Sequence, residues 1–586
     1  MNKKDLILNI LLFISQIIVF YYFFCYLFPF KEQLQMFQFT SQYLTETLKQ
    51  AGGVAIYISE FLSQFYVVFW TGPIISALLL TLVALLSSLI LKKINSRNDL
   101  SLIFLLPWLS LLIISLDYDY YEQGTIAYLF LLLFLWLYTN IKTRIKFIYG
   151  ICIIPILYGI AGPIVHLFAI SALFFEFLTN GKKKYISIIY LLIAALSAIA
   201  GTYLGYSRNL TLAFLPEAYC NPLQTVSGIY YAWYALPMTM LLVAYLKRYK
   251  EPVSLKGKCI WEGTQWAIMF LLVYQGIFHF GKLDAQHSMK QDYLLRTEQW
   301  DLVISEFNHD VLSKRRMCGL NLALAHKGQL SERLLDYPQH GIETLMLHWD
   351  QSIYTAQLHS DLYYCMGIIS AAQKFAFEAF VSSRSSGNPR MLKRLIETNL
   401  ITGSYPIADK YIQLLEKTWF YKDWATAHRR FLYNDKAVEE DKILGMKRRC
   451  WKAEASAAKL YTDPVSSLIN LLPACPDNKA GLAYLTSFLL LNKDIETYKT
   501  LQESLYRSPA WRDMTECQQE AIVICSPNDP HFWLEHGVSI KVRNRAIAFM
   551  QKVQDISRSG QNPAVALASE YGKTYWYYYM FNMMDK

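Results

Sequence analysis

The chain has 586 residues, of which 54% are hydrophobic and 17% charged, and its mean hydropathy is +0.20. Soluble domains carry about 25% charged residues, so this composition excludes an entirely soluble globular protein. The formal net charge is +10, but no basic patch interleaved with aromatic residues and no known nucleic-acid motif occurs, which argues against nucleic acid as a partner.

Charged residues divide the chain into two parts near residue 281. The first 281 residues carry 12 Asp and Glu and 19 Lys and Arg, whereas the remaining 305 carry 34 and 37. Long segments with so little charge are typical of helices in lipid. The sequence therefore predicts an all-α protein with a polytopic membrane domain at 1–281 and a soluble, α-helical repeat-like domain at 282–586.

Nine segments of the first part have the length and composition of spanning helices. The first follows Lys3 and Lys4, is too long for the apolar region of a secretory signal, and has no small-residue cleavage site behind it. It is therefore predicted to stay as an anchor. The nine predicted spans are 6–29, 71–91, 100–116, 124–141, 147–161, 163–179, 185–204, 227–246 and 260–280.

Two amphipathic, aromatic-rich stretches occupy residues 33–68, with Gly52 and Gly53 between them. Neither is apolar enough to span a bilayer. Helices of this kind lie in the plane of the membrane interface. They are predicted as outer-face helices between the first and second spans.

Basic residues alternate between successive loops of the predicted membrane domain. One set of loops carries 16 Lys and Arg, and the other carries only Lys31, Lys49 and Arg208. Because basic loops stay in the cytoplasm, the N-terminus is predicted to be cytoplasmic. An odd number of spans then places the domain after residue 281 in the periplasm. The predicted location is the bacterial inner membrane, with membrane lipid as a partner.

Apolar residues after 281 recur at helical spacing in paired segments, with turns near 298, 328, 403 and 493. In LIETNLITGSYPIADKYIQLL, the residues Gly403, Tyr405, Ala408 and Tyr411 resemble a tetratricopeptide repeat, although the spacing of the turns is irregular against its 34-residue period. The resemblance implies a solenoid of helical hairpins whose concave face binds a periplasmic protein partner. A packed helical domain without a ligand is the alternative.

The segment SLDYDYYEQGT, residues 115–125, lies between two predicted spans on the predicted outer side. In an extended segment the side chains of Asp117 and Asp119 point the same way, and two carboxylates can bind Mg²⁺ or Mn²⁺. A polar, tyrosine-rich loop is also what the membrane interface favours. Both interpretations, metal site and polar cap, remain open.

The topology and these acids resemble the C-type glycosyltransferases, multi-span enzymes with outer-face helices after the first span and acids in the outer loops. The resemblance implies a lipid-linked sugar donor, although the family usually has Asp where Glu32 stands. Glu217, in the loop 205–226, can join the same cluster. The implied site consists of Asp117 and Asp119 as metal ligands, Glu32 or His166 as the base, and Arg208 as the phosphate contact.

The stretch AGGVAIYISEFLSQFYVVFWTGP, from Ala51 to Pro73, resembles a domain-of-unknown-function family of bacterial envelope membrane proteins, which implies no assigned activity. The chain is therefore predicted to be an envelope scaffold or partner-binding protein. A sugar transferase and a transporter are the alternatives.

The ten cysteines show no metal-binding spacing and are predicted to be buried thiols. Six of them lie after residue 281, where Cys517 and Cys525 are the pair closest in sequence. One disulfide can form if this part is periplasmic.

Overall fold

The computed structural model describes residues 3–179, 187–221, 226, 228–306, 313–383, 387–456, 463–506, 508, 509, 511, 514–527 and 529–582. Within these ranges every regular element is a helix, and the β pairing consists of one isolated bridge between Tyr120 and Cys220. The all-α prediction is confirmed. The chain forms two compact units, in which unit 1 comprises 1–289 with 417–420 and unit 2 comprises 290–416 with 421–586.

Long apolar helices form the core of unit 1. Helix α5 packs against α1, α6 and α7, and α12 packs against α6 and α9. Leu80, Leu131 and Leu236 are fully buried where these helices meet. The helices up to the boundary region are α1 Lys3–Phe23, α2 Leu27–Glu32, α3 Ser41–Leu48, α4 Gly53–Ser63, α5 Thr71–Ile94, α6 Leu106–Ser115, α7 Glu122–Asn140, α8 Thr143–Ala161, α9 Ile164–Thr179, α10 Ile188–Tyr203, α11 Leu210–Phe214, α12 Ile229–Leu246, α13 Leu255–Phe280 and α14 Leu283–Arg296.

Four helices in the described ranges are long and apolar enough to cross a membrane, and a fifth span results if the bent pair α13 and α14 is counted as one. The four helices are Leu6–Phe23, Thr71–Ile94, Glu122–Asn140 and Ile229–Leu246. Shorter apolar helices occupy the positions of four other predicted spans, at Ile103–Ser115, Ile145–Ala161, Ile164–Thr179 and Ile188–Tyr203. Membrane-length helices are therefore present, whereas the full count of nine spans stays a prediction.

The segment predicted as two amphipathic helices contains α3, α4 and the 3₁₀ turn Gln64–Val67. Gly52 is the N-cap residue immediately before α4 and has a positive φ of 78°, a conformation in which glycine avoids the clash of a Cβ atom. A Cβ atom at this position would also lie 3.1 Å from the backbone of Ala161. The glycine between the two stretches is thus required both by its φ angle and by the closeness of α8.

Helical turns of unit 2 fall where the sequence places them. Glu298, Gly328, Gly403 and Lys493 all have positive φ, between 55° and 76°, which confirms the four predicted turns. The helices of unit 2 that follow α14 are α15 Trp300–Glu306, α16 Lys314–His326, α17 Leu330–Arg333, α18 Ile353–Met366, α19 Ile369–Ser382, α20 Pro389–Thr402, α21 Tyr405–Glu416, α22 Lys422–His428, α23 Asp435–Glu440, α24 Lys442–Ser456, α25 Pro464–Leu471, α26 Lys479–Leu491, α27 Ile495–Leu505, α28 Glu516–Cys525, α29 Pro530–Glu535, α30 Ile540–Arg558, α31 Pro563–Tyr571 and α32 Tyr575–Phe581.

The packing of unit 2 is partly sequential and partly long-range. Helices α18 to α21 each pack against the next helix in the chain, as in a repeat array. Helix α26, however, packs against α16, α17 and α18, and α28 packs against α17. A linear solenoid has only nearest-neighbour contacts, so unit 2 differs from it by these long-range contacts, and the solenoid stays a prediction.

Candidate functional site

The acidic loop lies between α6 and α7 and is buried. The side chains of Asp117 and Asp119 are 6% and 0% exposed. Backbone pairing with a second segment holds the loop in place, since Tyr121 N donates to Tyr219 O at 3.0 Å and Asn221 N donates to Asp119 O at 2.8 Å. The two carboxylates therefore lie inside unit 1 and are shielded from bulk water.

Lys282 supplies the positive charge that both carboxylates contact. Its ammonium Nζ lies 2.9 Å from Asp117 Oδ1 and 3.1 Å from Asp119 Oδ2, and it also lies 4.2 Å from the centre of the Tyr118 ring. Asn221 Nδ2 donates to Asp119 Oδ1 at 3.0 Å. Buried charges are usually paired in this manner, because an unpaired carboxylate in a low-dielectric interior is costly.

A second lysine, Lys31 on α2, is buried against Ser115, where α6 ends and the same loop begins. Lys31 Nζ donates to Ser115 O at 2.9 Å and lies 5.9 Å from the centre of the Tyr120 ring. Burial lowers the pKa of Lys31, and the negative charges of Glu122, Asp117 and Asp119 act in the opposite direction. Together with Lys282 and the three acids, this lysine forms what we call the buried ion network.

Glu32 is buried next to Lys31, and its carboxylate accepts a hydrogen bond from Gln33 Nε2. Because Lys31 donates to Ser115 O, Glu32 is the chain neighbour of a residue that contacts the start of the acidic loop. The role of Glu32 as a base therefore stays a prediction.

The remaining predicted site residues have other surroundings. His166 stacks on Phe214, with ring centres 4.8 Å apart. Glu217 accepts a hydrogen bond from the Tyr230 hydroxyl at 2.8 Å, and Arg208 is exposed before α11. The structure therefore brings Asp117 and Asp119 together around one cation, whereas His166 contacts Phe214 and the backbone of Ala213, and Glu217 contacts Tyr230.

Asp117, Asp119 and the amide of Asn221 are the oxygen donors that could approach a divalent ion here. In the described ranges no group of three or more His, Cys, Asp and Glu side chains is arranged to hold a metal ion. The ammonium of Lys282 stands between the two carboxylates. A metal ion would have to displace that ammonium, so metal binding at Asp117 and Asp119 stays a prediction.

Glu122 and the two lysines, Lys31 and Lys282, are the members of the network that sequence reasoning did not include in the site. Both lysines lie on the predicted outer side, where the charge bias disfavours lysine. A lysine that departs from this bias is best explained by an acidic residue that neutralises it. The presence of lysine on this side could therefore have indicated an ion pair with the acidic loop. The identity of the partners required the tertiary structure.

Unit 2 contains a cleft with a volume of about 1040 Å³. Residues 335–343 and the C-terminal helices α30 to α32 contribute most of its walls. Lys573 Nζ lies 3.6 Å from Asp336 Oδ1 across the cleft, and Lys314 pairs with Glu343. The charged residues that line the cleft are Lys314, Asp336, Glu343, Arg545, Glu570 and Lys573.

One family model, described as a family of unknown function (DUF6057), matches residues 2–582. The match confirms the resemblance to a family without an assigned activity, while the resemblances to glycosyltransferases and to tetratricopeptide repeats stay predictions. No curated protein and no solved structure gave a significant match to the chain.

Proposed function

The chain belongs to the family of unknown function DUF6057, and from this premise we propose that it is an integral membrane protein of the bacterial envelope whose unit 2 binds a protein partner. The observation that supports this proposal is a cleft in unit 2. Unit 1 serves as the anchor, and the cleft receives a segment of the partner chain.

The size and the lining of the cleft favour a polypeptide ligand. Pockets for small molecules measure roughly 300 to 1,000 Å³ and are mostly apolar, whereas this cleft is at the upper limit of that range and is lined by charges of both signs. Lys573 and Glu570 are largely exposed. Because exposed ion pairs contribute only about 0–1 kcal/mol, a partner can exchange them for its own charges at little cost.

Membrane insertion with nine spans is part of the proposal. Counting the bent pair as one, the described helices include five candidates of spanning length and four shorter apolar helices in unit 1, and their overlap with the nine predicted segments supports the proposal. A helix of 16 residues such as α9 measures about 24 Å and can match a bilayer that is locally thinned. With the N-terminus in the cytoplasm, unit 2 is then periplasmic.

A C-type-like glycosyltransferase is the second candidate, because two buried carboxylates converge on one point. The cation at that point is an ammonium group of the chain itself. Such pairing is sufficient to explain why the acids are buried, and we therefore favour a structural role for the buried ion network and place the ligand site in unit 2.

Reversing charge in the cleft is expected to weaken peptide binding about tenfold, which corresponds to roughly 1.4 kcal/mol. The variant is Arg545→Glu with Lys573→Glu in the full chain. Random peptides displayed on phage are selected against the detergent-solubilised wild type, and the affinities of the enriched peptides are measured for both proteins. A change of this size is expected because complementary charges would become repulsive.

The matched control is Lys541→Glu, an exposed residue of α30 that pairs with Glu516 outside the cleft lining. It is expected to bind the selected peptides as the wild type does. Failure to enrich any peptide, or equal losses in the control and the cleft variant, would contradict the proposed function.

A further inference from the structure

Two cysteines of unit 2 lie in direct contact although 25 residues separate them. The Sγ atoms of Cys450 and Cys475 are 2.7 Å apart, and the two residues are 0% and 1% exposed. Cys450 lies on α24, and Cys475 lies in the turn after α25, where its backbone N–H donates to Leu471 O at 3.1 Å. A disulfide bond measures 2.03–2.05 Å, so a movement of about 0.7 Å would bring the two sulfurs to bonding distance.

The surroundings fix both cysteines in this arrangement. Gly367 has a positive φ of 87°, and a Cβ atom there would lie 3.2 Å from Cys450 Sγ. Beyond Cys475, Asn478 Nδ2 donates to Met366 O at 2.8 Å, and Gly481 N donates to Asn478 Oδ1 at 3.0 Å. Packing and backbone hydrogen bonds therefore hold the two sulfurs together independently of any bond between them.

We propose that Cys450 and Cys475 form a disulfide that closes the segment from α24 to the turn after α25. The inference rests on the proposed function for its compartment, since disulfides persist in the periplasm and are rare in the cytoplasm. The proposed disulfide joins two cysteines that are 25 residues apart, and not the pair that is closest in sequence.

The reaction is a thiol–disulfide exchange with an oxidant that carries a disulfide, such as an envelope oxidoreductase or oxidised glutathione. The thiolate of Cys450 attacks one oxidant sulfur, forms a mixed disulfide and releases the first oxidant thiolate. The sulfur of Cys475 then attacks Cys450 Sγ and releases the second. The chain loses two protons and two electrons, and the oxidant gains them as two thiols.

In the folded chain Cys450 is the more acidic thiol of the two, since its pKa is lowered and the pKa of Cys475 is raised. The hydrogen bond with Cys475 lowers the pKa of Cys450 against the opposing effect of burial, and the nearby ammonium of Lys447 acts in the same direction as the hydrogen bond. Because both sulfurs are buried, the oxidant reaches them while the chain folds. The finished bond is then shielded from reductants.

Cys517 and Cys525, the closest pair in sequence, are poorly placed for a disulfide. Both lie on α28, where a separation of eight residues corresponds to about 12 Å along the helix axis. Bridged cysteines have Cα atoms at most about 6.8 Å apart. The pair that is closest in sequence is therefore not placed to form a disulfide. The pair that is in contact, between α24 and the turn after α25, is Cys450 and Cys475.

Peptide mapping of the full chain tests the proposal. The protein is extracted from membranes in detergent without reductant, alkylated in denaturant and digested with trypsin. We expect residues 450–452 to be linked to residues 460–479 in the wild type and in Cys517→Ser, and the link to be absent from Cys475→Ser. Reductant in mild denaturant should lower the unfolding midpoint of the wild type by roughly 6 °C and leave that of Cys475→Ser unchanged.

The result on the wild-type chain does not depend on whether the variants fold. If the thiols are free after extraction but become linked when the chain is partly unfolded with oxidised glutathione and returned to native buffer, the pairing is supported and the periplasmic location of unit 2 is contradicted. If both thiols are alkylated after each treatment, or if Cys450 is linked to a different cysteine, the proposal is overturned.

Discussion

Replacing Lys282 by methionine is expected to lower the free energy of unfolding by about 3 kcal/mol. The substitution leaves Asp117 and Asp119 buried without their shared cation. Breaking a buried ion pair by removing one partner costs about 3–5 kcal/mol, and the lower end applies because the Lys282 side chain is 35% exposed. For a chain of this size the thermal unfolding midpoint, measured on the full protein in detergent, should fall by roughly 6 °C.

A rescue experiment separates lost charge from lost packing. Asp117→Asn with Asp119→Asn, added to Lys282→Met, removes the two carboxylate charges and should restore most of the lost stability. The control is Lys290→Met, because Lys290 has a similar exposure and pairs with a half-buried Glu306, a pair expected to contribute at most about 1 kcal/mol. If Lys282→Met unfolds at the wild-type temperature, the buried ion network does not stabilise unit 1.

The Glu520→Gln substitution is expected to make the protein more stable at pH 8 by up to roughly 3 kcal/mol. Glu520 lies on α28, is 3% exposed, and accepts a hydrogen bond from Tyr575 N at 2.6 Å. Burial raises the pKa of Glu520 to about 7, although the N–H of Tyr575 and the charge of Arg545 act against the shift. Glutamine keeps the hydrogen-bond acceptor and removes the charge.

The sign of the pH dependence follows from this pKa. In the unfolded chain a glutamate has a pKa of about 4.3, so the folded state binds the proton more tightly between pH 4.3 and about 7. The contribution of this group to stability is therefore greatest below pH 4.3 and decreases as the pH rises to about 7, above which no further loss is expected.

Hydrogen exchange of the peptides from α28 and α32, measured on the full chain between pH 5 and 8 and corrected for the intrinsic exchange rate, reports the effect. Glu520→Gln should reduce the loss of protection that the wild type shows as the pH rises. Glu503→Gln, an exposed residue of the neighbouring helix α27, is the control and should follow the wild type. Parallel profiles for Glu520→Gln and the wild type would mean that the buried carboxyl does not control this region.

The sequence by itself determined the helical fold, the turns and the change in composition along the chain. Helical periodicity and turn chemistry depend on residues within a few positions of one another, so Gly328 and Gly403 could be identified as turns directly. The density of charge changes near residue 281, and the compact units divide at residues 289 and 290. These properties are local or compositional, which is why no tertiary contact was needed to predict them.

Only the tertiary structure decided which side chains meet. Lys282 is 165 residues from Asp117 in the chain, and Cys475 lies 25 residues from Cys450. The cleft of unit 2 likewise combines residues 335–343 with the C-terminal helices. Such contacts arise from the packing of helices over long sequence distances, and helical periodicity specifies which face of a helix is buried but not which other helix covers it. For that reason the two carboxylates were found from the sequence, while the cation that neutralises them was not.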